Sequence, residues 1–304
     1  SSSERRRWFT AWAMAFGLAA IALASVEWHW RARGYAPAVI DSAQLWSLQR
    51  DRVYGDSPRP LVLLGASRTE YSVDVKVLRE RLPGYKPVML TMNGRYPLAA
   101  LRDLAADENF RGTIMIDIES NGFLREFRDA QQPWIDYYHR RWTPSWRLHR
   151  IALSAWQRAA LIANPDFGAI AMLHRALAGG EPYRNYIAYR ANRASDIDFT
   201  KTDPEATKRH FAATVEGNIA HLPQRTADEW FADLAPVFVW VRTIQARGGA
   251  VIFYESPTSG YQRTVMDRLY PRERYWDRFA TASPAPTATP LIAEMIGLSQ
   301  AIML

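Results

Sequence analysis

One apolar run dominates the start of the chain: Trp8 to Val26 is nineteen residues long, carries no charge, and follows Arg5-Arg6-Arg7. Coiled as a helix, such a run matches the hydrocarbon core of a bilayer. Trp8 and Trp12 at one end, and Trp28 and Trp30 at the other, are placed like the aromatic belts of an anchor. The arginine triplet orients the N-terminus toward the cytoplasm and the rest of the chain outward. Ala22-Leu23-Ala24 offers a rival reading as the small-x-small site of a cleaved signal peptide. The run exceeds the usual signal core, which favours an anchor: a single-pass inner-membrane protein whose main domain is periplasmic or otherwise extracytoplasmic.

Beyond residue 30 the pattern changes to short apolar runs separated by helical periodicity. Residues 31–57 read as a linker containing a helix-like stretch from Asp41 to Arg52. Pro58-Arg59-Pro60 introduces Leu61-Val62-Leu63-Leu64, a buried strand, and Gly65-Ala66 permits a tight exit from it. Ser72 or Asp74 can cap a helix bearing Val75, Leu78 and Leu82, stopped by Pro83-Gly84. Pro87 to Met92 reads as a second strand, ending in Asn93-Gly94; Pro97 then opens a helix carrying Leu98, Leu101, Leu104 and Ala105 on one face. Thr113 to Ile118 is the third strand, with Glu119-Ser120-Asn121-Gly122 at its tip. Strands alternating with helices predict an α/β domain with a right-handed parallel series, a flavodoxin-like three-layer arrangement.

From about 123 to 226 the pattern loosens into an aromatic, arginine-rich insertion with helical pieces. An amphipathic helix then starts at Asp228 or Glu229, carries Trp230, Leu234, Val237, Phe238, Val241 and Ile244, and closes at Gly248-Gly249. Ala250 to Tyr254 is a fourth strand and Met266 to Phe279 a last helix. No fifth strand is legible. Ala280 to Pro290 is instead a run of Ala, Thr, Ser and Pro, and Glu294 is the only charged side chain past Phe279. The domain is therefore expected over 58–279, with 280–304 as an atypical tail.

The 304 residues are 48% hydrophobic, enough for a sizeable core. Lys and Arg total 38 against 31 Asp and Glu, a net charge of +7 with arginine far commoner than lysine. That balance suits an anionic partner such as lipid headgroups or an acidic glycan; no basic-aromatic module of a nucleic-acid-binding type is present. There is no cysteine, which removes disulfides and thiolate metal sites. The histidines lack the close pairing of zinc sites, and Gly179-Gly180 follows no strand, so neither a metal nor a cofactor is implied.

Ser67 stands where the first strand ends, the edge at which open α/β sheets place ligands. Locally, a serine there more often caps the following helix. Gly94 and Asn121, each also readable as a turn residue, occupy the ends of the next two strands. With polar strand ends at Ser67, Gly94 and Asn121, the chain resembles the SGNH (GDSL-like) hydrolase family. The likeness is greatest to membrane-anchored bacterial members active in acylation of cell-surface polysaccharide or teichoic acid. It covers about 58–122 and 228–260. The resemblance implies Ser67 as nucleophile, with the amides of Ser67 and Gly94 and the Asn121 side chain as oxyanion donors. It also implies an acylated glycan substrate and a multi-pass membrane acyltransferase as partner. Arg68, next in the chain, is expected at the surface, with gripping of an anionic substrate as the alternative.

The family takes its base from an Asp-x-x-His near the C-terminus. The six histidines here, at 29, 139, 149, 174, 210 and 221, all precede the fourth strand. The one literal match, Asp136-Tyr137-Tyr138-His139, lies in the insertion, where Trp134, Tyr137, Tyr138 and Trp142 also read as packing or partner-contact residues. A truncation or altered reading frame after about Phe279 would account for the tail. Two functions follow: an exported serine esterase or O-acyltransferase acting on acyl, chiefly acetyl, groups, and a non-catalytic scaffold or binding subunit of a membrane acylation complex.

Overall fold

The computed structural model describes residues 2–180, 182 and 186–288. Helix α1 (Ser2–Ala32) is continuous. Among the described residues it is the one helix long and apolar enough to cross a membrane: the span is Ser3–Ala32, its most apolar window has a mean hydropathy of 1.9, and none of that window is buried.

The end of α1 is fastened to the domain. The Glu27 carboxylate accepts hydrogen bonds from the backbone N–H groups of Leu161 (3.0 Å) and Ile162 (3.2 Å). Arg31, itself paired with Glu27, donates to the Ala159 carbonyl at 2.7 Å. Trp30 is buried with Leu161 and Phe167.

Next come α2 (Ala43–Arg50), β1 (Arg59–Leu64), α3 (Ser67–Ser72), α4 (Val75–Arg81), β2 (Tyr85–Met89), α5 (Leu98–Ala106) and β3 (Thr113–Asp117). The segment read as a linker thus contains a core helix, because Leu45 and Trp46 of α2 are fully buried. Ser42 caps α2, and Asp74 caps α4 by accepting from the N–H groups of Lys76 and Val77.

The insertion contributes α6 (Gln132–Arg141), α7 (Pro144–Ala159) and α8 (Ala169–Ala178). It continues through β4 (Ile187–Tyr189) and β5 (Ser195–Ile197) to α9 (Pro204–Ala220). β4 and β5 form a separate antiparallel pair. Three-residue strands carry too little alternation to announce themselves.

The chain returns to the main sheet through α10 (Ala227–Ala232), α11 (Ala235–Ala246), β6 (Ala250–Tyr254), α12 (Gly260–Leu269), α13 (Trp276–Ala282) and β7 (Thr287–Ala288). Both expected long helices are broken at proline. Pro236 lacks an N–H and sits in the first turn of α11, after a capping box formed by Thr226 and Glu229 has opened α10. Pro271 separates α12 from α13.

The main sheet is wholly parallel, in the order β2-β1-β3-β6-β7. A fifth strand is therefore present, contrary to the sequence expectation. Two residues of β7 pair with Phe253 and Tyr254, and the Phe253 N–H is taken by the Pro286 carbonyl. A proline-rich run can edge a sheet by supplying carbonyls. Residues 289–304 of the tail lie outside the described residues.

Side chains alternate across the sheet. Val62, Leu64, Val88, Ile114, Ile116, Val251 and Phe253 face a core closed by α2, α5, α10, α11 and α13. Leu61, Leu63, Met89, Met115 and Tyr254 face a smaller core with Val73, Val75 and Leu78. Strands buried on both faces explain the unbroken apolar runs of the sequence.

Candidate active site

Ser67 is the first residue of α3, at the carboxyl end of β1. The N-cap is Ala66, so Ser67 does not cap the helix. It is half-buried, and among the described residues no side chain hydrogen-bonds its Oγ.

Gly65 makes this exit possible. A Cβ there would meet Thr69 Oγ1 at 2.1 Å and Thr69 Cβ at 2.8 Å. Thr69 is held in place by Asp117 Oδ2 at 3.2 Å and by the Tyr254 hydroxyl at 3.1 Å.

Gly94 lies in the exposed turn after β2 with φ +69°, a left-handed conformation, and open space where a Cβ would be. Its backbone conformation alone therefore accounts for glycine. Asn121 is buried in a 3-10 turn, Ser120–Phe123, beyond β3. Its Nδ2 donates to the Tyr96 hydroxyl at 2.7 Å, while its Oδ1 has no hydrogen-bond partner. Gly122 lets the Tyr96 ring approach, since a Cβ at 122 would sit 2.6 Å from Tyr96 Cδ1. Burial raises the Tyr96 phenol well above its ordinary pKa, so it remains a neutral hydroxyl.

Arg68 is not a free surface arginine. It pairs with Asp117 at 3.2 Å and with Glu119, and only 19% of its side chain is exposed. Asp117 also accepts the Ser256 N–H at 2.9 Å, and Glu119 accepts from Gln262 at 3.0 Å. Glu255, after β6, is paired with Arg272 at 3.4 Å. Burial raises the Glu255 pKa; Arg68 and Arg272 oppose the rise, and Glu119 and Asp117 add to it. Three carboxylates thus gather at the ends of β3 and β6. Among the described residues no group of three His, Asp or Glu could hold a metal ion.

A second polar knot lies behind α3. Arg193, at φ +63° and fully buried, binds Asp41 through two contacts of 2.7 and 2.6 Å. It also donates to the Met89 and Thr91 carbonyls and approaches Glu70 at 3.7 Å. Burial pushes the Glu70 carboxyl up to about 7, against the pull of Arg193. Tyr71 and Tyr189 meet at 3.1 Å through their hydroxyls, and Ser195 Oγ donates to the Glu70 carbonyl. The inserted β4–β5 hairpin therefore braces the helix that presents Ser67.

The expected pair of Asp136 and His139 does not form. His139 Nε2 lies 2.5 Å from Asp103 Oδ1 on α5, whose other oxygen receives Arg50 at 2.8 Å. Asp136 accepts from Gln132 instead. A helix brings residues three apart to one side, but His139 finds its carboxylate on the neighbouring helix. Of the other histidines, 149, 174 and 210 are exposed, His221 meets the Gly217 carbonyl, and His29 lies on α1. No histidine hydrogen-bonds Ser67 among the described residues.

Sequence reasoning missed Asp117, Glu119, Glu255 and Glu70. Asp117 carried one signal, a charge at the end of an otherwise apolar strand; Glu70 lies one turn beyond Ser67. No protein-family model matches the chain, and neither a curated protein nor a solved structure shows significant similarity to it.

Proposed function

We propose that the chain is a membrane-anchored, exported serine esterase or O-acyltransferase of SGNH type that acts on acyl, chiefly acetyl, groups of a cell-surface glycan. The observation that carries the reading is Ser67. It is a half-buried serine that caps nothing, at the carboxyl end of a β1 strand flanked by β2 and β3, and open parallel sheets with the order β2-β1-β3-β6-β7 bind ligands at that edge.

In this reading Ser67 Oγ attacks the acyl carbonyl carbon. The new C–O bond gives a tetrahedral oxyanion, whose collapse restores the carbonyl and breaks the bond to the glycan oxygen; that oxygen leaves as a hydroxyl carrying the serine proton. Water or a second sugar hydroxyl then takes the acyl group. The amides of Ser67 and Gly94 and the second N–H of Asn121 are the donors available to the oxyanion. Asp117, Glu119 and Glu255 are the carboxylates at neighbouring strand ends. A multi-pass membrane acyltransferase is the proposed source of acyl groups.

A non-catalytic scaffold of the same fold is the second reading. It is favoured by the hydrogen bonds that His139 and Asn121 already make, to Asp103 and Tyr96. Fluorophosphonate labelling separates the two. Covalent labelling of the folded chain that is lost in Ser67→Ala supports the enzyme; a folded chain that takes no label supports the scaffold.

A further inference from the structure

Helix α7 is amphipathic the wrong way round for a soluble domain. It buries Arg150, Ser154 and Gln157 against the protein, Arg150 to 2% exposure, and turns Leu148, Ile151 and Trp156 outward. The buried face is satisfied internally: Arg150 donates to Ser154 Oγ at 3.0 Å and to Gln157 Oε1 at 2.9 Å. Helix α8 repeats the outward face with Ile170, Leu173 and Leu177, the last 80% exposed, and from Ile170 to Ala178 none of its residues is buried. An isolated exposed leucine is ordinary, but three large apolar side chains turned outward on each of two successive helices call for a cover.

Three observations identify the cover. The α7–α8 junction is the part of the domain fastened to α1, through Glu27, Trp30 and Arg31. Glu27 follows directly on the apolar run that ends at Val26, so residues 161 and 162 lie at the height where that run would leave a bilayer. The charges are also one-sided. Neither helix contains an acidic residue, whereas Arg147, His149, Arg158, His174 and Arg175 are spread along them. Basic side chains beside an exposed apolar stripe are the composition of helices that lie in a lipid interface.

We propose that α7 and α8 form a membrane-surface platform whose outer faces rest in the headgroup–acyl boundary of the bilayer crossed by α1. The proposal rests on reading α1 as a membrane span. It goes beyond anchoring, because it makes the domain lie on the lipid and not merely hang from it.

The full chain has no cysteine, so single cysteines can be introduced and labelled with an environment-sensitive nitrobenzoxadiazole dye. Leu148→Cys, Leu173→Cys and Leu177→Cys report the platform. Ala19→Cys reports the span, and Val239→Cys reports an exposed site on α11. The labelled chains are reconstituted in phosphatidylethanolamine–phosphatidylglycerol vesicles carrying either shallow or deep spin-labelled lipids. The expected result is loss of iodide quenching and gain of shallow-lipid quenching at 148, 173 and 177. Quenching by deep lipid is expected at 19, and free iodide access at 239. Lipid quenching at 19 with iodide access retained at 148, 173 and 177 overturns the platform and leaves the span standing. Shielding from iodide at those positions without lipid quenching assigns the face to a protein and also overturns it. Absence of lipid quenching at 19 overturns the span and the platform with it.

Discussion

Asn121 holds the Tyr96 hydroxyl at 2.7 Å through one hydrogen of its amide. That bond fixes the amide plane and leaves the second hydrogen unspent, the one that the proposed reaction would offer to a substrate oxygen. Asn121→Ala is expected to slow fluorophosphonate labelling by about 10²–10³-fold, the usual cost of losing one oxyanion donor. Tyr96→Phe keeps the donor but frees its orientation, so it is expected to slow labelling less. Stopped-time labelling of the three proteins checks the order.

Gly65 is required by Thr69. In Gly65→Ala the methyl would collide with Thr69, itself bonded to Asp117 and Tyr254. The start of α3 must then shift, at about 1–3 kcal/mol, typical of overpacking. Denaturant unfolding should show lower stability, and labelling of Ser67 should fall by more than the unfolded fraction explains.

Glu70 predicts a pH dependence of stability. Its carboxyl is pushed up to about 7 in the folded chain from an ordinary 4.5, so the folded state holds the proton more tightly than the unfolded state. The stabilisation from this group is fully present below the unfolded value and is lost as pH rises through the folded one. At about 1.4 kcal/mol for each pH unit between the two, the change amounts to about 3 kcal/mol. Glu70→Gln is expected to flatten the difference between unfolding midpoints measured at about pH 4.5 and about pH 8.

His139 and Arg50 separate catalysis from architecture. His139 is half-exposed, so His139→Ala is expected to cost under about 1 kcal/mol and to leave Ser67 labelling unchanged. A loss of labelling would return it to the role of base. Arg50 is buried between Asp103 and Asp107, at 2.8 and 2.7 Å, and Arg50→Ala leaves those carboxylates without their cation. Thermal and denaturant unfolding should register a loss of about 3–5 kcal/mol.

Four strands of the main sheet are legible because they carry apolar residues on both faces, as in Leu61–Leu64 and Ile114–Ile116. The two residues of β7 and the three each of β4 and β5 are too short to show a period. Pro236 and Pro271 were compatible with continuous amphipathic runs, yet each marks a break, since apolar spacing survives a change of helix axis. Ser67 was legible through Gly65 and the end of a strand. The partners of Arg68 were not, because Asp117 and Glu119 lie 49 and 51 residues away in the chain and meet it only across adjacent strand ends. The spacing of His139 to Asp136 fits a motif, but the carboxylate that His139 meets, Asp103, comes from another helix and could not be read from that spacing.

The last turn of α1 runs into the domain without a break and is pinned there by Glu27 and Arg31. Such a connection acts as a mast and not as a tether. With α1 in a bilayer, Ser67 would keep a constant altitude above the lipid and a constant bearing. Under the proposed glycan esterase or acyltransferase activity, the chain would then select its substrate by reach as well as by chemistry, modifying the part of a glycan that passes at that height and sparing groups farther along the polymer.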